Sequence, residues 1–162
     1  MSKNLRIIVA TESDLDECLL VIHRSFATVA QSLGLTRESC PSHTSFMPME
    51  KLKSSYDSGS VFICKSDDGI AGCCCVSAPK DGSCELSRLA VLPEKRHLGI
   101  GRGLVRTAEI TAASLGANKL SIAIIEEQSL LKHWYASIGF VHIGIRRFEH
   151  LPFTVGFMEK IL

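Results

Sequence analysis

The central loop of this sequence reads Arg96-His97-Leu98-Gly99-Ile100-Gly101. It lies between an apolar segment, 86–92, and a helix-like segment that begins near Gly103. Because Gly99 and Gly101 lack a Cβ atom, successive backbone N–H groups can turn toward a ligand there. The positive end of the helix that follows favours an anion at the same place. The loop therefore predicts a phosphate-like ligand, although two glycines ahead of a helix also occur where a strand simply ends.

The composition is that of one globular domain, residues 1–162. Of the 162 residues, 46% are hydrophobic, and a chain of this length buries roughly 70% of the surface that it exposes when unfolded. The 18 basic and 17 acidic side chains give a net charge of +1, which argues against nucleic acid and membrane surfaces as partners. The first residues contain no apolar signal-peptide segment. We therefore expect a cytoplasmic protein with a small or locally charged substrate.

The seven cysteines do not form a pattern typical of disulfides or metal sites. Their number is odd, Cys73, Cys74 and Cys75 are consecutive, and no Cys-x-x-Cys pair occurs. The six histidines are scattered, so no metal site is predicted. We expect reduced, buried cysteines that pack as small apolar side chains, with consecutive ones on opposite faces of a strand.

Hydrophobic periodicity predicts a mixed α/β fold, a central, mostly antiparallel twisted sheet of about seven strands flanked by about four helices. A capping box of Thr11 and Asp14 opens the first helix. The turns at 66–69 and 78–83 make the three middle strands antiparallel neighbours. A loop over 31–44 is long enough to be functional. The predicted strands are 6–10, 61–65, 70–77, 84–92, 120–125, 140–148 and 153–158, and the predicted helices are 15–29, 46–56, 104–115 and 130–138.

Two common phosphate-binding loops do not fit the glycine pattern. A dinucleotide fingerprint needs its glycines directly after a strand and a third small residue three positions beyond the second glycine. Here 93–98 intervene, and Leu104 occupies that third position. A Walker loop is excluded as well, because no Gly-Lys-Ser or Gly-Lys-Thr follows.

Two segments resemble landmarks of a known family. The segment 89–104, Leu-Ala-Val-Leu-Pro-Glu-Lys-Arg-His-Leu-Gly-Ile-Gly-Arg-Gly-Leu, resembles the acyl-CoA-binding signature of the GNAT superfamily of N-acyltransferases. The segment 135–140, Tyr-Ala-Ser-Ile-Gly-Phe, is similar to the second landmark of that family. The resemblance implies acetyl-CoA as cofactor, with its pyrophosphate held by the loop. The loop residues implied for this role are Arg96, His97, Leu98, Gly99, Gly101 and Arg102.

The same resemblance implies roles for the neighbouring strand and the last helix. In the family the strand before the loop splays from its neighbour, so the backbone groups of Leu89 and Val91 are expected to bind the acyl carbonyl and the pantetheine arm. Gln128 stands where the family often carries an asparagine that contacts the cofactor. Tyr135 matches a tyrosine that protonates the departing thiolate, or it packs beside Trp134.

Glu85 is the candidate general base. It lies eleven residues before Arg96, the spacing at which some members of the family place a catalytic glutamate. An amine must lose a proton to attack a thioester, and a partly buried carboxylate with a raised pKa suits that task, directly or through water. The other interpretations are an exposed strand residue or an ion-pair partner.

The resemblance implies a substrate pocket between the first two helices and the final hairpin, near His23, Phe26, His43, Phe46 and the turn 149–153. His43 follows Cys40-Pro41 in a polar loop. Three interpretations are open for it: a second base, a substrate contact, or a surface histidine without a role. The basic residues of this region make an acceptor with its own carboxylate one of several candidates.

The function implied is an N-acetyltransferase that moves an acetyl group from acetyl-CoA to a primary amine by direct attack in a ternary complex. The acceptor is a small-molecule or peptide amine, and a homodimer is common in the family. Cys84 or another cysteine as an acyl carrier is the rival mechanism, but no activating group flanks these cysteines in the sequence. The alternative function is a non-catalytic coenzyme A-binding sensor or interaction module.

Overall fold

The computed structural model describes residues 4–162. Residues 1–3 lie outside the described residues. They include the start of the predicted domain and of the N-terminal stretch for which no signal peptide is predicted. The strands are β1 (Arg6–Val9), β2 (Ser60–Ser66), β3 (Gly69–Val76), β4 (Ser83–Val91), β5 (Lys119–Ile125), β6 (Val141–Arg147) and β7 (Thr154–Ile161). The α-helices are α1 (Leu15–Leu33), α2 (Met49–Ser58), α3 (Ile100–Ser114) and α4 (Ser129–Ser137).

The seven strands form one sheet in the order β1-β2-β3-β4-β5-β7-β6. Only the pair β4–β5 is parallel, and every other neighbouring pair is antiparallel. The predicted mixed fold with a mostly antiparallel sheet is confirmed. Helix α3 begins at Ile100, earlier than the sequence pattern indicates, because Gly99 adopts a left-handed conformation and serves as its N-cap.

Apolar side chains cover both faces of the sheet. On one face α1 and α2 pack over a core that contains Cys73 and Cys75, and on the other face α3 and α4 pack over a core that contains Cys74. All seven cysteines are free and buried, as predicted. Burial raises the pKa of the Cys74 thiol well above its ordinary value. A hydrogen bond with Cys18, together with burial, does the same to the pKa of the Cys73 thiol.

The predicted capping box is present at the start of α1. The backbone N–H of Thr11 donates to Oδ2 of Asp14 at 2.8 Å, and a short 3-10 turn, Glu12–Asp14, leads into the helix. Gly34, with φ of +64°, ends α1. Among the helices of residues 4–162, none is long and apolar enough to cross a membrane.

Candidate functional site

The strands β4 and β5 diverge near the middle of the sheet. They pair only where Ser83–Glu85 meets Lys119–Ser121. Beyond that point a cavity of about 380 Å³, here named the gap cavity, opens between 86–89 of β4 and 122–125 of β5. Its other lining residues are Phe26, Val29, Ser42, His43, Thr44, Gln128, Leu131, Tyr135, His150, Leu151, Phe153 and Val155.

A β-bulge in β4 accompanies this divergence. Cys75 pairs with Ser87 and Cys73 with Ala90, so Cys74 alone faces both Arg88 and Leu89. Arg88 takes a φ of +50°, a left-handed conformation that costs a non-glycine residue energy and is typical of functional sites. The bulge places the side chain of Arg88 against the gap cavity.

The glycine loop and the first turn of α3 line a second cavity of about 520 Å³, here named the loop cavity. The backbone N–H groups in the first turn of a helix have no partner within that helix, and they carry the positive end of its dipole. Gly99, with φ of +82°, makes the turn into the helix. The lining residues are Ser25, Leu89, Val91, Lys95, Arg96, His97, Gly99, Ile100, Gly101, Arg102, Leu131 and Trp134.

These cavities are neighbours along one cleft. Leu89 and Leu131 line both the loop cavity and the gap cavity. A third cavity of about 270 Å³, here named the outer cavity, shares Phe26 and Arg88 with the gap cavity and also contains Glu85. The cleft therefore runs from the start of α3, past the bulge, to the loop before α2.

Tyr135 projects from α4 into the core beside the gap cavity. Its ring packs edge-on against Trp134 and Phe140, with centroid distances of 4.9 and 5.4 Å. Burial raises the pKa of its phenol well above the ordinary value, so the hydroxyl keeps its proton. Within residues 4–162 that hydroxyl has no hydrogen-bond partner, which leaves it available to a ligand.

Glu85 lies at the end of the paired part of β4 and is exposed. This position differs from the partial burial expected for a base with a raised pKa. The reason is the alternation of the strand, which turns Cys84 and Leu86 inward and Glu85 outward. Glu85 nevertheless lines the outer cavity, together with Arg88 of the bulge.

Known proteins resemble this chain in the sequence and the fold that carry this cleft. Residues 57–142, more than half of the chain, match the family model of the acetyltransferase (GNAT) domain. This chain belongs to the GNAT acetyltransferase family.

Solved structures share the GNAT fold along almost the whole chain. The PaiA N-acetyltransferase of Thermoplasma acidophilum, in complex with coenzyme A, superposes with a TM-score of 0.82 at 19% identity, over 98% of this chain and 99% of that one. The ribosomal-protein-S18-alanine N-acetyltransferase of Escherichia coli gives 0.76 at 16% identity, over 97% and 93%.

A sequence relative is the amino-acid acetyltransferase of Ralstonia nicotianae, 27% identical over 100 residues. The match covers 61% of this chain and 21% of the relative. The matched residues therefore span about a fifth of the length of that protein.

The residues predicted for the cofactor come together in this GNAT structure, with two exceptions. Leu98 is half-exposed and does not line the loop cavity. Gln128 lines the gap cavity instead, and its Nε2 donates to Oγ of Ser32 in α1 at 3.3 Å.

Arg96 lines the loop cavity, but its Nη2 donates to the carbonyl oxygen of Ser25 at 3.1 Å and to Oγ1 of Thr28 at 3.1 Å. That guanidinium thus joins the loop to α1.

Of the residues predicted for the substrate, Phe26 and His43 line the gap cavity. His43 is buried and not on the surface, with the rings of Phe26 and Phe46 beside it. Its Nδ1 caps the 3-10 turn Thr44–Phe46 by accepting the backbone N–H of Ser45. His23 and Phe46 line none of the three cavities of the cleft. The Nε2 atom of His23 bonds the carbonyl oxygen of Met47 at 2.7 Å, and Phe46 stacks under Arg37.

The turn 149–153, expected at the substrate pocket, contributes His150, Leu151 and Phe153 to the wall of the gap cavity. Sequence reasoning missed Arg88, Trp134 and Ser25 as residues of the cleft. For Arg88 a signal exists: Cys84 and Leu86 alternate inward, and the polar pair Ser87-Arg88 then breaks the period. Such a break is typical of a bulge. Among residues 4–162, no cluster of His, Cys, Asp and Glu could hold a metal ion.

Proposed function

We propose that this chain is an N-acetyltransferase that moves an acetyl group from acetyl-CoA to a primary amine by direct attack in a ternary complex. One observation carries the proposal: a single cleft joins the N-terminus of α3 to a cavity where Tyr135 presents a protonated hydroxyl that has no partner among the described residues. The first end suits an anionic carrier, and the second end suits proton transfer to its leaving group.

The residues at the start of α3 fit the pyrophosphate of coenzyme A. The unpaired N–H groups of the first helical turn point to an anion, and His97 and Arg102 add basic side chains beside them. A Cβ atom on Gly101 would lie only 3.3 Å from the ring of Trp134, so glycine keeps this part of the cavity open. The coenzyme A complex of the Thermoplasma relative supports the assignment. When bound, acetyl-CoA supplies the acetyl group as a thioester.

The chain itself supplies alignment and proton transfer. The backbone of Leu89 and Val91, beside the loop cavity, aligns the acyl arm. Glu85 takes the proton from the attacking nitrogen, directly or through water, as the new C–N bond forms. Tyr135 gives its proton to the sulfur as the C–S bond breaks, and solvent restores it. The products are an N-acetyl amine and the free thiol.

The cysteines support direct attack over an acyl-enzyme. Cys84 is fully buried, and burial raises the pKa of its thiol. A thiol that holds its proton is a poor nucleophile. No basic side chain of the described residues forms a hydrogen bond with it.

The proposal is tested with the full chain, acetyl-CoA and a panel of amino acids, peptides and polyamines. Release of free thiol is followed, and coenzyme A binding is measured by calorimetry. We expect binding together with turnover of at least one amine. Binding without turnover across the panel would make the chain a binding module and overturn the proposal.

Two variants with matched controls test the residue roles. Tyr135→Phe and Glu85→Gln should each lower kcat. Tyr56→Phe and Glu38→Gln remove the same groups outside the cleft and should not. Unchanged kcat in both of the first two variants would remove these residues from the mechanism.

A further inference from the structure

Arg88 is a half-buried cation whose partners are all neutral. Its Nε donates to Sδ of Met47 at 2.8 Å. Its Nη1 donates to Oγ of Ser55 at 2.8 Å and to Oγ of Ser87 at 3.3 Å. The neighbouring thiol of Cys75 carries no charge near neutral pH, because burial raises its pKa to about 11. No described carboxylate forms an ion pair with Arg88.

The second terminal nitrogen, Nη2, makes no hydrogen bond to any residue of 4–162. This nitrogen is not among the fully buried polar atoms of the described residues, so solvent reaches it and a ligand can replace that water. A guanidinium presents parallel N–H groups that match the two oxygens of a carboxylate. The bulge holds Arg88 in a strained backbone conformation, with its side chain against both the gap cavity and the outer cavity.

The surroundings of Arg88 within the cleft are apolar and almost free of acids. Of residues 4–162, no aspartate or glutamate lines the gap cavity, and Glu85 is the one acidic residue that lines the outer cavity. The wall of the gap cavity contains Phe26, Ile124, Leu151, Phe153 and Val155. Such a wall suits an apolar side chain. A polyamine would lack both a partner for Arg88 and acidic groups for its own charges.

We propose that the acceptor is a free α-amino acid with an apolar side chain, whose carboxylate binds Arg88 at the β4 bulge. This inference rests on the proposed N-acetyltransferase function. Arg88 holds the carboxylate, the apolar wall of the gap cavity holds the side chain, and the amine is left for transfer. A peptide N-terminus has no carboxylate next to its amine and does not fill this site.

The test uses four acceptors that share one side chain: L-leucine, L-leucinamide, isopentylamine and the peptide Leu-Gly-Gly. With the full chain and saturating acetyl-CoA, kcat/KM is measured for each. We expect leucine to exceed leucinamide by about tenfold or more, the effect of one charge-assisted contact. The Arg88→Gln variant should reduce this ratio to near one, mainly through a higher KM for leucine.

Three variants make the comparison robust. The ratio of the kcat/KM values for two acceptors does not depend on the folded fraction of the enzyme. The Arg88→Gln variant therefore stays informative even if the substitution destabilises the protein. Arg88→Lys keeps the charge and should retain part of the preference. Arg6→Gln removes the same charge from an exposed residue outside the cleft and should leave the ratio unchanged.

Each other outcome overturns the inference in a distinguishable way. If all four acceptors react equally, the proposed function stands and the carboxylate site does not. If Leu-Gly-Gly is preferred, the acceptor is a peptide N-terminus. If Arg88→Gln lowers kcat equally for every acceptor, Arg88 acts on the reacting carbonyl and not on a carboxylate. If no acceptor is turned over, the proposed function itself is wrong and this inference with it.

Discussion

The backbone of Gly101 lies against the indole ring of Trp134. A Cβ atom built on Gly101 would stand 3.3 Å from Cζ2 of that ring, closer than ordinary van der Waals contact. The contact joins the first turn of α3 to α4, and both residues line the loop cavity. The space in front of the helix N-terminus therefore depends on the absence of a side chain at Gly101.

Substitution Gly101→Val should weaken coenzyme A binding. The added side chain must push the ring of Trp134 or enter the loop cavity, and we expect the Kd to rise by about tenfold. Calorimetry measures the change. The matched control is Gly144→Val, because a Cβ atom there meets nothing within 4 Å. Equal Kd values for the two variants would contradict the assignment of the loop cavity to the cofactor.

Gly99 should be required for its backbone conformation and not for space. Its φ is +82°, while a Cβ atom at this position would meet nothing within 4 Å. Gly99→Ala should therefore lower the free energy of unfolding by about 1–2 kcal/mol. Gly99→Asn should lower it less, because asparagine tolerates the left-handed region. Urea denaturation measures both, and an alanine variant as stable as the parent would refute the backbone argument.

Tyr135→Phe should separate catalysis from stability. The hydroxyl has no hydrogen-bond partner within residues 4–162, so its loss should change the free energy of unfolding by no more than about 0.5 kcal/mol. The kcat for an accepted amine should fall by about a hundredfold. Steady-state kinetics and urea denaturation of the same preparation provide both numbers. A large loss of stability with unchanged kcat would show a packing role only.

The pH dependence of Tyr135 follows from its burial. Because the pKa of the phenol is raised above its ordinary value, the acid form persists as the pH increases through the range of an ordinary tyrosine. Loss of activity up to about pH 10 should therefore not originate from this residue. If the activity of the parent falls with increasing pH in that range and the activity of Tyr135→Phe does not, this expectation is wrong.

The sequence is sufficient for the order of helices and strands because periodicity and turn residues act locally. The alternation of β2 and β3, and the capping box of Thr11 and Asp14, are visible without tertiary information. The glycine loop is also local, since Gly99 itself provides the left-handed turn that begins α3. The predicted start of α3 is too late although Ile100 lies four residues before Leu104 on the same buried face, because Gly101 and Gly103 between them are poor helix formers.

Side-chain surroundings depend on contacts that the sequence does not place. The burial of His43 arises from the position of its loop between α1 and α2. The exposure of Glu85 follows from strand alternation, but whether either face of β4 is covered at that point depends on neighbouring elements. The environment of Arg88 depends on Met47 and Ser55, which are distant in sequence. Residues that act through a long-range contact were therefore missed.

His43 should make stability depend on pH. Burial lowers the pKa of its imidazole below the ordinary value of 6.5, and its Nδ1 accepts the backbone N–H of Ser45, which requires an unprotonated nitrogen. As the pH falls through about 6.5, the unfolded chain binds a proton at this residue and the folded chain resists it. The free energy of unfolding should thus decrease between about pH 7 and pH 5.

The variant His43→Gln isolates this contribution. Urea denaturation at several pH values should give a flatter dependence for His43→Gln than for the parent, because one imidazole no longer titrates differently in the two states. His133→Gln, at an exposed position of α4, should keep the parental slope. The aromatic neighbours of His43, Phe26 and Phe46, lie with ring centroids 6.2 Å away, and they keep the site apolar. Equal slopes for His43→Gln and the parent would mean that the imidazole is protonated as easily in the folded chain as in the unfolded one.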